Sequence, residues 1–91
     1  MKAPFFNVIG ISYKNANTSV RGMFSLSLDQ SKFLIQESLN EGIDNLIVNS
    51  TCNRVEIYSS SSDVNLLIKL LCKYSRGTIR DFKQYGYSIE G

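Results

Sequence analysis

Apolar residues recur along this chain with two different periods. Residues 5–13 (FFNVIGISY) are β-branched and aromatic, with Gly10 among them, and predict a strand. Residues 14–22 are polar and irregular and predict a loop. Ser27-Leu28-Asp29-Gln30 then has the form of a capping box, a hydroxyl followed three residues on by an amide. The helix it opens is expected over residues 28–41, with Gly42 closing it in a left-handed cap. On a helical wheel Leu28, Ile35 and Leu39 fall together, opposite a wet side of Asp29, Lys32, Gln36 and Asn40. Leu34 sits well round from that stripe, and Phe33 falls among the polar positions. Either the register is off by a residue or Phe33 meets another surface.

Residues 45–49 (NLIVN) make a short apolar run suited to a buried strand, and residues 54–59 (RVEIYS) alternate like a second one. Serines 59–62 supply a turn, after which Ser62 or Asp63 can cap a helix over residues 64–75. That helix keeps Asn65, Lys69, Lys73 and Arg76 on one polar stripe, and Gly77 ends it. Tyr85, Gly86, Tyr87 and Ile89 predict a last strand. The order strand, helix, strand, strand, helix, strand is the split β-α-β pattern (βαββαβ) of ferredoxin-like α+β domains, with helices on one face of an antiparallel sheet. Such a fold hosts many functions, so chemistry has to be read from particular residues.

Ninety-one residues make one domain, 1–91, with room for a single core, and the 43% apolar content is that of a globular chain. A net charge of +2 makes the whole chain no electrostatic magnet for nucleic acid. The bases are unevenly placed: Lys69, Lys73, Arg76, Arg80 and Lys83 meet one acid, Asp81. That cluster is either a solvated helix face or a dock for an RNA backbone. Two cysteines, Cys52 and Cys72, are too few for a disulfide framework, and without histidine the usual zinc patterns are excluded. No apolar run resembles a signal peptide or is long enough to span a bilayer, which reads as a cytoplasmic chain with reduced thiols.

One segment has the makings of a site. Cys52 falls between two strand-like runs, where a turn exposes side chains that a core would bury. Arg54 lies two residues on; its guanidinium can grip a carboxylate through two donors, and its charge favours a thiolate. Thr51 and Asn53 add hydrogen-bonding groups for a polar substrate. Spacing alone describes a thiol beside a carboxylate receptor, or an incidental cysteine in a polar turn.

Residues 50–58, S-T-C-N-R-V-E-I-Y, resemble the S-T-C-N-R-x-E-[aliphatic]-Y signature of the glutamyl-tRNA reductase amino-terminal domain. Upstream, Gly10-Ile11-Ser12-Tyr13-Lys14-Asn15-Ala16 and the following Val20-Arg21 are similar to that family's G-[LIV]-[NS]-[HY]-K-[TN]-[AS] stretch and its V-R-E. Tyr13, Asn17 and Gly22 depart from it, standing where many members have His, Pro and Glu.

The resemblance implies that Cys52 is the catalytic nucleophile, that Thr51 and Arg54 hold the glutamyl moiety, and that Asn53 belongs to the same binding run. It implies a reductase in which the thiolate takes glutamate from glutamyl-tRNA as a thioester. NADPH then reduces the thioester to glutamate-1-semialdehyde, the precursor of 5-aminolevulinate and tetrapyrroles such as haem. Family members continue into a stretch with an essential histidine, a nucleotide-binding domain and a helical dimerisation domain. Lacking histidine and a glycine-rich dinucleotide fingerprint, this chain is expected to be a fragment. On that expectation NADPH binds elsewhere, no metal is used, and the fragment is inactive as a reductase by itself. The implied partners are glutamyl-tRNA, a second copy in a full-length homodimer, and glutamate-1-semialdehyde aminomutase as a candidate, with no membrane. The alternative is a ferredoxin-like binding module, for a small carboxylate ligand or a protein partner, in which Cys52 does no chemistry.

Overall fold

The computed structural model describes residues 6–90. Phe5, the first residue of the expected opening strand, lies outside them. Eight elements follow one another: β1 (Asn7–Ser12), α1 (Thr18–Phe24), α2 (Leu28–Asn40), β2 (Leu46–Ser50), β3 (Arg54–Ser59), α3 (Val64–Tyr74), α4 (Ile79–Tyr85) and β4 (Tyr87–Glu90). The strands form one antiparallel sheet in the order β2-β3-β1-β4, so β1 and β3 are central. This is the split β-α-β arrangement expected from the element order.

Strand alternation divides the sheet into two faces. Ile9 and Ile11 of β1 lie directly opposite Ile57 and Val55 of β3, and all four are buried. Against them pack Phe24 of α1, Leu34 of α2, Leu67, Leu70 and Leu71 of α3, and Phe82 of α4. The rings of Phe24 and Phe82 meet edge to face, with centroids 6.1 Å apart, and the Phe24 ring occupies the space where a side chain at Gly77 would begin. The opposite face carries Val8, Gly10 and Ser12 of β1 beside Tyr58, Glu56 and Arg54 of β3, with Tyr87 and Ile89 of β4 on the outer side.

Three expectations need correction. The polar stretch 14–22 is not all loop, because α1 starts at Thr18, capped by the Asn17 side chain accepting from the Val20 N–H at 3.0 Å. A second unexpected helix, α4, is capped by the Thr78 hydroxyl accepting from the Asp81 N–H at 3.1 Å. Each has seven residues, two turns, which is too short for a 3.6-residue period to show. The third correction concerns α2. Its capping box between Ser27 and Gln30 is present, and Gly42 takes the left-handed conformation with φ of 87°. Its buried face, however, is Leu34 and Ser38, about a quarter turn from the predicted stripe; Leu28 and Leu39 are exposed. Ser38 fits the core because its hydroxyl donates back to the Ile35 carbonyl at 2.6 Å, which leaves no polar atom stranded. Phe33 is exposed as well, so it does not belong to this core.

Candidate active site

Between β2 and β3 the chain reverses through Cys52 and Asn53, with Thr51 and Arg54 facing each other across the turn. The Thr51 N–H donates to the Arg54 carbonyl at 2.8 Å. A two-residue hairpin loop normally relies on left-handed residues, yet no residue except Gly42 has positive φ among the described residues. Thr51 solves this with its side chain. Its hydroxyl accepts from the N–H groups of Asn53 and Arg54, both at 3.3 Å, standing in for the main-chain acceptor of an ordinary turn. The carbonyls of the tip are satisfied from outside the hairpin. Asn53 O accepts from the Tyr13 N–H at 2.9 Å, and Cys52 O accepts from Arg21 Nε at 3.1 Å.

The Cys52 side chain is exposed at this fixed tip. Thr51 and Cys52 line a small pocket of about 160 Å³ together with Thr18, Arg21, Gly22 and Ser25 of α1 and its end. Cys72, on α3, is half-buried, and burial, followed by the charge of Asp81, pushes its thiol above the ordinary value.

Arg54 opens β3 and turns to the other face of the sheet. It borders a larger pocket of about 340 Å³ that also includes Ser12, Lys14, Glu56 and Tyr87. Glu56 is only 5% exposed, an unusual place for a carboxylate. Tyr58 donates to its Oε1 at 2.7 Å, Tyr87 donates to Oε2, and Arg54 Nη1 lies 3.8 Å from Oε2. Space for this cluster comes from Gly10, where an added Cβ would lie 2.9 Å from Glu56 Cγ and 2.9 Å from the Tyr87 hydroxyl. The phenols respond to the carboxylate. Tyr87 is held well above the ordinary tyrosine value, by burial first and then by its bond to Glu56. Tyr58 is raised too, mainly by its bond to Glu56.

The structure therefore brings Thr51, Cys52, Asn53 and Arg54 to one end of the sheet, but Thr51 and Cys52 border one pocket and Arg54 the other. Sequence reasoning missed Glu56, Tyr87 and Arg21. Glu56 and Arg21 were legible as parts of the two motifs but without a role, and Tyr87 joins the site only through tertiary packing. In the basic cluster Lys69, Lys73, Arg76, Arg80 and Lys83 are all exposed, and Lys73 also donates to Glu37 at 2.5 Å, tying α3 to α2. Among the described residues no group of His, Cys, Asp and Glu is arranged to hold a metal ion, and no helix is long and apolar enough to cross a membrane.

An exposed thiol on a hydrogen-bonded hairpin tip, with a guanidinium at the start of the next strand, defines a thiol-presenting domain of ferredoxin-like topology. A family described as the glutamyl-tRNA(Glu) reductase N-terminal domain matches residues 9–91, and the chain belongs to that family. A glutamyl-tRNA reductase from Flavobacterium psychrophilum is 46% identical over 82 residues, covering 90% of this chain and 20% of that protein. One from Christiangramia forsetii is 44% identical over the same length, with the same coverage. A more distant reductase from Acinetobacter baumannii is 26% identical over 86 residues, 93% of this chain and 20% of that protein. The chain thus spans about a fifth of the length of the curated relatives it matches.

Proposed function

We propose that this domain removes the glutamyl group from glutamyl-tRNA and carries it on Cys52 as a thioester. The observation that carries the reading is the exposed Cys52 thiol on a turn whose two carbonyls, and the Asn53 and Arg54 amides, are held by hydrogen bonds, in a chain of this family. The thiolate attacks the ester carbonyl carbon. The tetrahedral intermediate collapses, the C–O bond to the terminal ribose breaks, and the ribose oxygen leaves with a proton. A thioester accepts hydride where a carboxylate does not, and that is the chemical reason for a cysteine.

The pocket beside Arg54 suits the amino acid that is transferred. Arg54 and Lys14 supply positive charge for the glutamate side-chain carboxylate, and Glu56 supplies negative charge for its ammonium group. Thr51 serves first as the cap of the turn, and with Asn53 it borders the reacting atoms.

In the proposal the complete enzyme reduces the thioester to glutamate-1-semialdehyde with hydride from NADPH, on the way to 5-aminolevulinate. The residues described here do not fit that cofactor: no glycine-rich strand-to-helix turn is present among them to hold its pyrophosphate. The part assigned to this domain is therefore the acyl transfer, and its 91 residues alone should produce no semialdehyde. Resemblance alone supports the remaining elements, a cytoplasmic homodimer that passes its aldehyde to glutamate-1-semialdehyde aminomutase.

The test is to incubate the chain with glutamyl-tRNA labelled in the glutamate. Label should stay on the protein, be released by hydroxylamine as a thioester is, and be absent from Cys52→Ser. An unlabelled wild type, or equal labelling of the serine variant, would leave a binding module without chemistry.

A further inference from the structure

We infer that Arg21 is a positioning residue for the nucleophile, a clamp that fixes the main chain at Cys52 without touching substrate; the inference rests on the acyl-transfer reading above. Its guanidinium reaches three acceptors at once. Nε donates to the Cys52 carbonyl at 3.1 Å, Nη1 to the Ala16 carbonyl at 2.7 Å, and Nη2 to the Thr18 hydroxyl at 3.4 Å. Two of these oxygens belong to main chain from segments far apart in sequence, the β1–α1 connection and the β2–β3 hairpin tip. A planar fork with five N–H donors can bridge them; an ammonium, a point charge on a flexible stem, cannot hold all three in fixed directions.

The clamp acts where the nucleophile is most free to move. The two hairpin-tip residues have no strand partners of their own, and Thr51 secures the amides of Asn53 and Arg54 but not the Cys52 carbonyl. A displacement of the peptide unit after Cys52 would move the Cys52 Cα and carry the sulfur with it. Arg21 and the Tyr13 N–H hold two successive carbonyls, Cys52 and Asn53, and so remove that freedom. Helix α1 gives Arg21 its place, in its last turn and facing the tip. Reaction rates are steep in such geometry, and a displacement of about 1 Å can cost a hundred-fold.

The test compares wild type with Arg21→Gln and Arg21→Lys. It follows glutamyl transfer from glutamyl-tRNA to Cys52, alkylation of Cys52 by iodoacetamide, and hydrogen exchange at the Tyr13 amide. In Arg21→Gln the transfer rate at saturation should fall about ten- to a hundred-fold, with the half-saturating tRNA concentration within about two-fold of wild type. Alkylation by the small reagent, which needs no fixed approach, should change less than about two-fold, while the Tyr13 amide should exchange faster. Arg21→Lys should fall between the two, since it keeps the aliphatic stem and one donor; it also serves if the glutamine variant does not fold. An unchanged saturated rate would overturn the clamp. A raised half-saturating concentration at unchanged saturated rate would make Arg21 a substrate contact and overturn it equally. If wild type itself transfers no glutamate, the acyl-transfer reading fails and the role in transfer fails with it. Unaltered Tyr13 exchange in the variants would then dismiss the clamp as well.

Discussion

At the scale of single residues, the two cysteines differ in surroundings more than in chemistry. Cys52 is exposed on a polar turn, while Cys72 is half-buried with its thiol raised by burial. Because the thiolate is the reacting form, iodoacetamide at neutral pH should modify Cys52 about ten-fold or more faster than Cys72, as read by peptide mass mapping. Equal rates would show that the tip thiol is not set apart. Arg54 should tolerate lysine less well than Arg21. If Arg54 grips the glutamate carboxylate as proposed, losing one charge-assisted bond to it costs roughly 1.5–3 kcal/mol, so Arg54→Lys should lower the second-order rate of glutamyl transfer about ten- to a hundred-fold. Its melting temperature should stay near wild type, because the side chain is 39% exposed. Near-normal transfer would take Arg54 out of the site. Of this chemistry the sequence displays Thr51, Cys52, Asn53 and Arg54, which are consecutive. The role of Arg21, marked only as a motif letter, and the presence of Tyr87 stay hidden because both depend on tertiary packing: one acts through a carbonyl thirty-one residues away, the other through a carboxylate on another strand.

At the scale of elements, the strands and the two longer helices were the readable part. The β-branched run of β1, the alternation of β3 and the capping box of α2 each have a local cause, and they appear where that cause places them. The face of α2 was misread because its most apolar stripe is not its buried one. Burial there follows the fit against α3 and the sheet, where a leucine and a serine lie in contact with the core while larger residues stay outside. A pair of truncations tests this. Leu34→Ala should destabilise the domain by about 2–5 kcal/mol, as expected for a leucine fully enclosed in a core. Leu28→Ala, at a position 73% exposed, should change stability by no more than about 0.5 kcal/mol in chemical denaturation. The reverse order would restore the face predicted from the wheel.

At the scale of the whole molecule, the open sheet face ties stability to alkaline pH. Tyr87 and Tyr58 are both raised, the first by burial and then its bond to Glu56, the second by that bond and then burial. The folded state thus holds these phenol protons more tightly than the unfolded chain, whose tyrosines titrate near the ordinary value of 10.0. Their contribution is complete below that pH and is lost as the pH climbs through the higher folded-state values. Stability measured by urea unfolding should therefore decline above about pH 10, and Tyr87→Phe should flatten that decline. A variant with the wild-type slope would show that the phenol proton does not matter to folding.

Antiparallel topology also sets when the site can exist. The β2–β3 hairpin joins neighbours in sequence and can zip within about 1–10 μs. The strand that completes it is β1, made first, and Ser12 must find Arg54 across a loop of some forty residues before the Tyr13 and Arg21 contacts can close. During synthesis β1 leaves the ribosome long before its partner and waits without one. The geometry around Cys52 is accordingly a late product of assembly rather than a property of nine residues in a row. A synthetic peptide of the motif alone would carry the same letters without that geometry.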